Sequence, residues 1–187
     1  MKNIDKIIGI ILIIFFVFSC NNGSSSKNKV SNNTTNNTPL GQAGVIDNVS
    51  DPNILQVAIN SKDHSILVTA VQAAHIEHVL VNAGPLTVFA PINSAFEVLP
   101  DGTLDELLKP EKIDDLTSIL LRHSAPGAYS PTILKNEIKK GRKLYMANGD
   151  YLSISQNNEE IFINESKIIH SITTSNGIIN IIDKLIL

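Results

Sequence analysis

Residues 86–96, Leu86-Thr87-Val88-Phe89-Ala90-Pro91-Ile92-Asn93-Ser94-Ala95-Phe96, hold a strand, its stop and the start of a helix in one short stretch. Residues 86–90 are rich in β-branched and aromatic side chains that fit a pleated surface. Pro91 has no N–H with which to extend a ladder. Asn93 or Ser94 then offers a side-chain oxygen to cap a helical turn containing Ala95, Phe96 and Val98.

Upstream, Asp51-Pro52 joins a capping side chain to a proline suited to a first helical turn, and Ile54, Leu55, Ala58 and Ile59 follow as one apolar stripe. A second helix is predicted after Asp63, with Leu67, Val71 and Ala74 on one face and a break near His75. A short third, containing Ile76, Val79 and Leu80, stops at Asn82-Ala83-Gly84-Pro85. Downstream, Thr103-Leu104-Asp105-Glu106 has the capping-box pattern, and Ile113, Leu116 and Leu120 mark an amphipathic helix that reaches His123 before Pro126-Gly127. Beyond Arg142 the apolar period shortens to that of a strand. Residues 144–147, 151–155, 161–163, 167–172 and 178–187 read as strands, separated by Asn148-Gly149, residues 156–159, Asn164-Glu165 and Asn176-Gly177. Helices first and hairpins last imply an α+β domain with an antiparallel sheet. With 43% hydrophobic residues and no Trp, its core is expected to be aliphatic.

Residues 87–96 and the closing stretch Asn176-Gly177-Ile178-Ile179-Asn180-Ile181-Ile182-Asp183-Lys184 together resemble the two signature blocks of the fasciclin domain. Between them, Leu120-Leu121-Arg122-His123-Ser124-Ala125-Pro126-Gly127 resembles that family's helix end running into a His-x-x-Pro-Gly turn. The resemblance extends from about residue 53 to residue 187. It implies a wedge-shaped antiparallel β-sandwich with helices, used as an extracellular adhesion or matrix-binding module and not as an enzyme. Three positions depart from the family pattern. Asn180 replaces a common histidine, Arg122 a common tyrosine, and His75 a helix-ending glycine, a place histidine tolerates because it is enriched at positive φ. The first two argue against an animal integrin-type site, so no partner-binding residue is assigned.

Residues 1–19 carry Lys2 and Lys6, then an apolar run over residues 7–18. That run falls short of the ~20 apolar residues needed to cross a membrane, and a removable signal peptide is expected. Val17-Phe18-Ser19-Cys20 resembles a bacterial lipobox, and Cys20 is the chain's single cysteine, which leaves no intrachain disulfide. Lipid attachment at Cys20 is therefore expected to tie the chain to the membrane; acyl chains there add ~0.8 kcal/mol per buried methylene. Residues 20–44, dominated by Asn, Ser, Thr and Gly, read as a disordered tether, and residues 45–187 as the folded domain. The expected location is the bacterial cell envelope, at the outer membrane or cell surface in preference to the periplasmic face.

Composition and spacing argue against most other chemistry. The net charge is −3, and the nearest approach to a basic stripe is Lys139, Lys140, Arg142 and Lys143 around Gly141, read as a solvated turn. No nucleic-acid partner is expected. His75 and His78 have a His-x-x-His spacing without further ligands, so neither a metal nor another cofactor is expected. His123 and Ser124 adjoin without a Gly-x-Ser-x-Gly elbow. His123 reads as a helix-end residue supporting the turn at Pro126-Gly127, and Asp183 as a strand-end carboxylate accepting from backbone amides. The sequence points to a non-enzymatic monomer that recognises an extracellular matrix protein or glycan through an exposed face. The alternative is a periplasmic envelope-maintenance lipoprotein with no external ligand.

Overall fold

The structure, a computed structural model, describes residues 51–82 and 84–187; the expected signal peptide, the lipid-accepting Cys20 and the tether lie outside the described residues. Asn53 opens the first helix, α1 (Ile54–Asn60). Its side chain accepts from the Gln56 amide and the Gln56 side chain accepts from the Asn53 amide, each at 2.9 Å, so two orphan donors are satisfied reciprocally. The expected cap at Asp51-Pro52 thus falls two residues early, because the side chain that reaches back into the first turn is that of Asn53. Ile54, Leu55 and Ala58 are buried while Ile59 is 45% exposed. At about 140° around the helix from Ile54, it lies on the rim of the stripe.

After a 3-10 turn at Lys62–His64, α2 (Ser65–Ala73) ends in a left-handed residue, His75, at φ 55°. Its N–H donates to Gln72 O at 3.1 Å and that of Ile76 to Val71 O at 3.3 Å, the paired bonds of a Schellman cap. The break expected at His75 is therefore a built helix end. Because His75 is exposed and a side chain in this region costs about 1 kcal/mol, His75→Gly is expected to raise stability by about 1 kcal/mol. A urea midpoint no higher than that of the wild type would contradict this.

The elements that follow are α3 (Glu77–Val81), β1 (Leu86–Pro91), α4 (Asn93–Phe96), α5 (Thr103–Leu107), α6 (Ile113–Arg122), β2 (Ser124–Pro126) and α7 (Pro131–Lys139). Then come β3 (Leu144–Tyr145), β4 (Tyr151–Leu152), β5 (Ile154–Asn157), β6 (Glu160–Ile163), β7 (Ser166–Thr174) and β8 (Gly177–Ile182). The capping box expected at Thr103 is absent: Gly102, at φ 81°, precedes α5 and no side chain caps it. α7 has no counterpart among the expected elements, although Ser130 caps it and Pro131 occupies its first turn.

Six strands form one sheet in the order β2-β1-β8-β7-β6-β5, with β3 and β4 as a separate hairpin. The fold class is α+β as expected, but the sheet is mixed: β1 and β8 run parallel, in register from Leu86↔Gly177 to Pro91↔Ile182, while the other pairs are antiparallel. β1 is buried on both faces. Val88 and Ala90 join Leu55, Leu67, Leu116 and Leu120 under the helices. Phe89 faces the opposite way, into a second cluster with Leu134, Leu144, Met146, Leu152 and Ile182. Phe89 is the one aromatic among the buried hydrophobic residues described, so the core is aliphatic.

Polar side chains of the two signature stretches join distant elements. Asn176 Oδ1 accepts from Ile54 N–H at 3.0 Å, and Nδ2 donates to Leu80 O at 2.8 Å and Asn82 O at 3.2 Å. Asn93 caps nothing in its own helix; its Oδ1 accepts from Ile66 N–H at 3.1 Å and Nδ2 donates to Lys62 O at 3.0 Å. Gly177, expected in a turn, is instead the first residue of β8. A Cβ there would lie 1.9 Å from Leu86 O.

Candidate functional site

His75 stands at the end of α2 and His78 lies in α3. Among the described residues, no group of three or more His, Cys, Asp or Glu is placed to hold a metal ion. His123 is buried, with its Nδ1–H donating to Ile119 O at 2.8 Å and its Nε2 accepting from Ile186 N–H at 3.0 Å. Burial pushes its pKa down to about 4, opposed by the Ile119 carbonyl and aided by the charge of Arg122. Both ring nitrogens are engaged, and Ser124 Oγ donates to Leu120 O at 3.4 Å, so the adjacent pair is not a base and its nucleophile. The turn that His123 was expected to support is held by other groups: Gly127 N–H donates to Pro85 O at 2.8 Å, and Thr87 Oγ1 to Gly127 O at 2.7 Å.

Asp183 has the expected role, its Oδ1 accepting from Lys167 N–H at 2.7 Å. Asn180, one of the three departures from the fasciclin pattern, is fully buried; Nδ2 donates to Tyr129 O at 3.0 Å and Oδ1 accepts from Ser171 Oγ at 2.6 Å. Arg122, in place of tyrosine, pairs with Asp150. Between α1–α3 and the sheet lies a cavity of about 60 Å³ walled by residues such as Leu55, Val71, Leu80 and Ile179. His64 is buried beside it, and burial lowers the pKa of the ring, opposed by the charge of Asp63 and the Ala90 backbone. Ser61 and Ser124 also reach the cavity wall, but the Ser61 hydroxyl is bonded to His64 Nδ1 at 2.7 Å and that of Ser124 to Leu120 O.

The outside of the β3–β4 hairpin is different. Met146 N–H donates to Asp150 O at 2.8 Å and Gly149 N–H to Met146 O at 2.9 Å, with Gly149 at φ 97°. This is a three-residue loop whose last position favours glycine. Asn148 tightens it, donating through Nδ2 to Asp150 Oδ2 at 2.7 Å and accepting from Asp150 N–H at 3.1 Å. Ala147 N–H donates to Ser124 O at 2.7 Å, which fastens the hairpin to β2. Leu144, Met146 and Leu152 point into the core, so strand alternation turns Tyr145 and Tyr151 outward. They are direct cross-strand partners, 47% and 65% exposed, with ring centroids 5.2 Å apart and planes inclined at 54°. Along the same side Lys143, Ala147, Gly149 and Ser153 are also exposed. A signal for this pair exists in the sequence, since the two tyrosines sit symmetrically about Asn148.

Next to it lies the basic turn. Lys140 and Arg142 share Glu137, at 2.8 and 3.2 Å, and the Lys140 hydrogen bond is the first cause holding the Glu137 carboxyl below its usual range. All four cations of residues 139–143 are exposed.

The fasciclin-domain family model matches residues 62–187. The chain belongs to the fasciclin family. Fasciclin domains are generally cell-adhesion or binding modules. Protein sll1483 of Synechocystis sp. is 38% identical over 135 residues, covering 72% of each chain. A second Synechocystis protein, sll1735, is 35% identical over 73% of this chain and 98% of its own length. Human periostin is 28% identical over 67% of this chain, a region that makes up 15% of periostin. Among solved structures, the FAS1 domain pair of the insect cell adhesion molecule fasciclin I superposes with a TM-score of 0.65 at 20% identity. It is matched over 73% of this chain and 51% of its own, a likeness of fold.

Proposed function

We propose that the chain is a membrane-anchored, surface-displayed binding module that recognises a protein or glycan through an exposed face of its fasciclin domain. The observation that carries this reading is the Tyr145–Tyr151 pair: two large amphipathic rings, exposed on the outside of the described domain and held on a hairpin fixed by side-chain and backbone hydrogen bonds. Aromatic side chains presented rigidly bind at low cost in conformational entropy. Sharing a fold with an insect cell adhesion molecule supports the reading by analogy. The lipid would sit on Cys20, and residues 20–44 would form a tether with a root-mean-square span of roughly 25–30 Å.

Protease treatment of intact cells tests display and anchorage together. The domain is expected to be digested without lysis, and Cys20→Ala is expected to abolish fatty-acid labelling and release the protein from the membrane fraction. Protection until lysis would overturn surface display and favour a periplasmic role; labelling that survives the substitution would remove Cys20 as the anchor.

A further inference from the structure

We infer that the outer face of the β3–β4 hairpin, together with the basic turn at residues 139–143, is a docking site for an acidic polysaccharide. This rests on the binding-module reading and names the class of its ligand. The tyrosine rings stand side by side, and their neighbours along the strands are Ala147, Gly149 and Ser153, too small to cover them. The result is an open strip suited to a run of sugar rings. The C–H face of a pyranose packs on an aromatic ring, while the phenol hydroxyls and Ser153 can meet sugar hydroxyls.

Charge selects among glycans. Four exposed cations lie in the turn that leads into β3; the nearby carboxylates are already engaged, Glu137 by Lys140 and Arg142 and Asp150 of the hairpin loop by Arg122. Lys139 and Lys143 have no ion pair among the described residues, and strand alternation places Lys143 on the same side as Tyr145. They are free to meet the carboxylates or sulfates of a polysaccharide. An extended peptide fits less well. The Ala147 amide, two residues beyond β3, is already bonded to Ser124, which takes one donor from a strand added at that edge. The chain's overall charge of −3 gives polyanions no general attraction, which leaves recognition to this local cluster.

The full-length chain in detergent, passed over immobilised heparin, polygalacturonate, dextran and a panel of matrix proteins, tests this. Binding to heparin and polygalacturonate but not dextran is expected, falling steeply as salt rises. The pair Tyr145→Ala/Tyr151→Ala is expected to weaken it about tenfold, and Lys139→Gln/Lys143→Gln to weaken it about tenfold while flattening the salt dependence. Far-UV circular dichroism should show both variants folded, since all four side chains are exposed. Equal binding to dextran, or tyrosine-dependent binding to a protein, a nucleic acid or a second copy of the chain with none to acidic glycans, would overturn the inference and leave the binding-module reading standing. Heparin binding unchanged by loss of the tyrosines would overturn both for this face, as would binding to nothing in the panel.

Discussion

Lowering the pH from 7 to 5 is expected to remove about 2 kcal/mol of folding stability, before carboxylates titrate. The source is His123. Its ring is neutral in the fold, and burial holds its pKa at about 4, against an ordinary value of 6.5. Protonation would set an Nε2–H donor against the Ile186 N–H it now accepts, and would place a charge at a site only 2% exposed. The unfolded chain thus takes up a proton near pH 6.5 that the fold refuses until near pH 4. Stability is complete above the upper value and is lost as pH falls toward the lower one. His64, whose pKa burial also lowers, acts in the same direction. Urea midpoints at pH 7, 6 and 5 should fall steadily for the wild type. His123→Gln, weaker at pH 7, should lose most of that slope. Equal slopes in the two proteins would assign the acid sensitivity to other groups.

Gly177→Ala should cost about 3 kcal/mol and lower Tm by roughly 10 °C. The added methyl would meet Leu86 O at 1.9 Å, with Leu86 C and N at 2.8 and 2.9 Å. All three are backbone atoms, so no side-chain rotation relieves the clash. Leu86 and Gly177 begin the parallel β1–β8 pair, and Leu86 N–H donates to Asn176 O at 3.2 Å. Moving the strands apart there would also disturb Asn176, whose side chain holds α1 and α3 to the same corner. Ser175→Ala, at an exposed neighbour, is the control and should melt within about 2 °C of the wild type. A Gly177→Ala protein as stable as that control would show that the strands separate there freely.

What was legible in the sequence is what short-range stereochemistry dictates. The strand, proline stop and helix of residues 86–96, the hairpin at Asn148-Gly149 and the amide-binding carboxylate of Asp183 each follow from a few neighbouring residues, whereas the positive φ of His75 is implied by the resemblance to a family with glycine there. Direction and partnership are another matter. Near-continuous runs of strand formers mark β1 and β8 as buried strands, but nothing in either run names the other as its partner. The closing bond of His123 goes to Ile186, 63 residues away, and no local pattern names it. Asn93 and Asn176 look like cap and turn residues, and serve as cross-links because the fold brings Lys62 and Leu80 to them. The tyrosine platform falls between these cases: alternation turns each ring outward, while their contact depends on the Tyr145↔Tyr151 register. Cys20, the proposed point of lipid attachment, lies outside the described residues.

The parallel pairing of β1 with β8 also sets the moment at which this domain can close. β8 runs between β1 and β7 at the middle of the sheet and supplies Ile179 to one hydrocarbon layer and Ile182 to the other. Every helix precedes it in the chain. During synthesis those helices and β1 are made first, yet the strand that completes the layer beneath them arrives last, after most of the domain. Contacts of such long sequence separation form late and slowly. The two hydrocarbon layers therefore cannot both close until the final strand has been delivered.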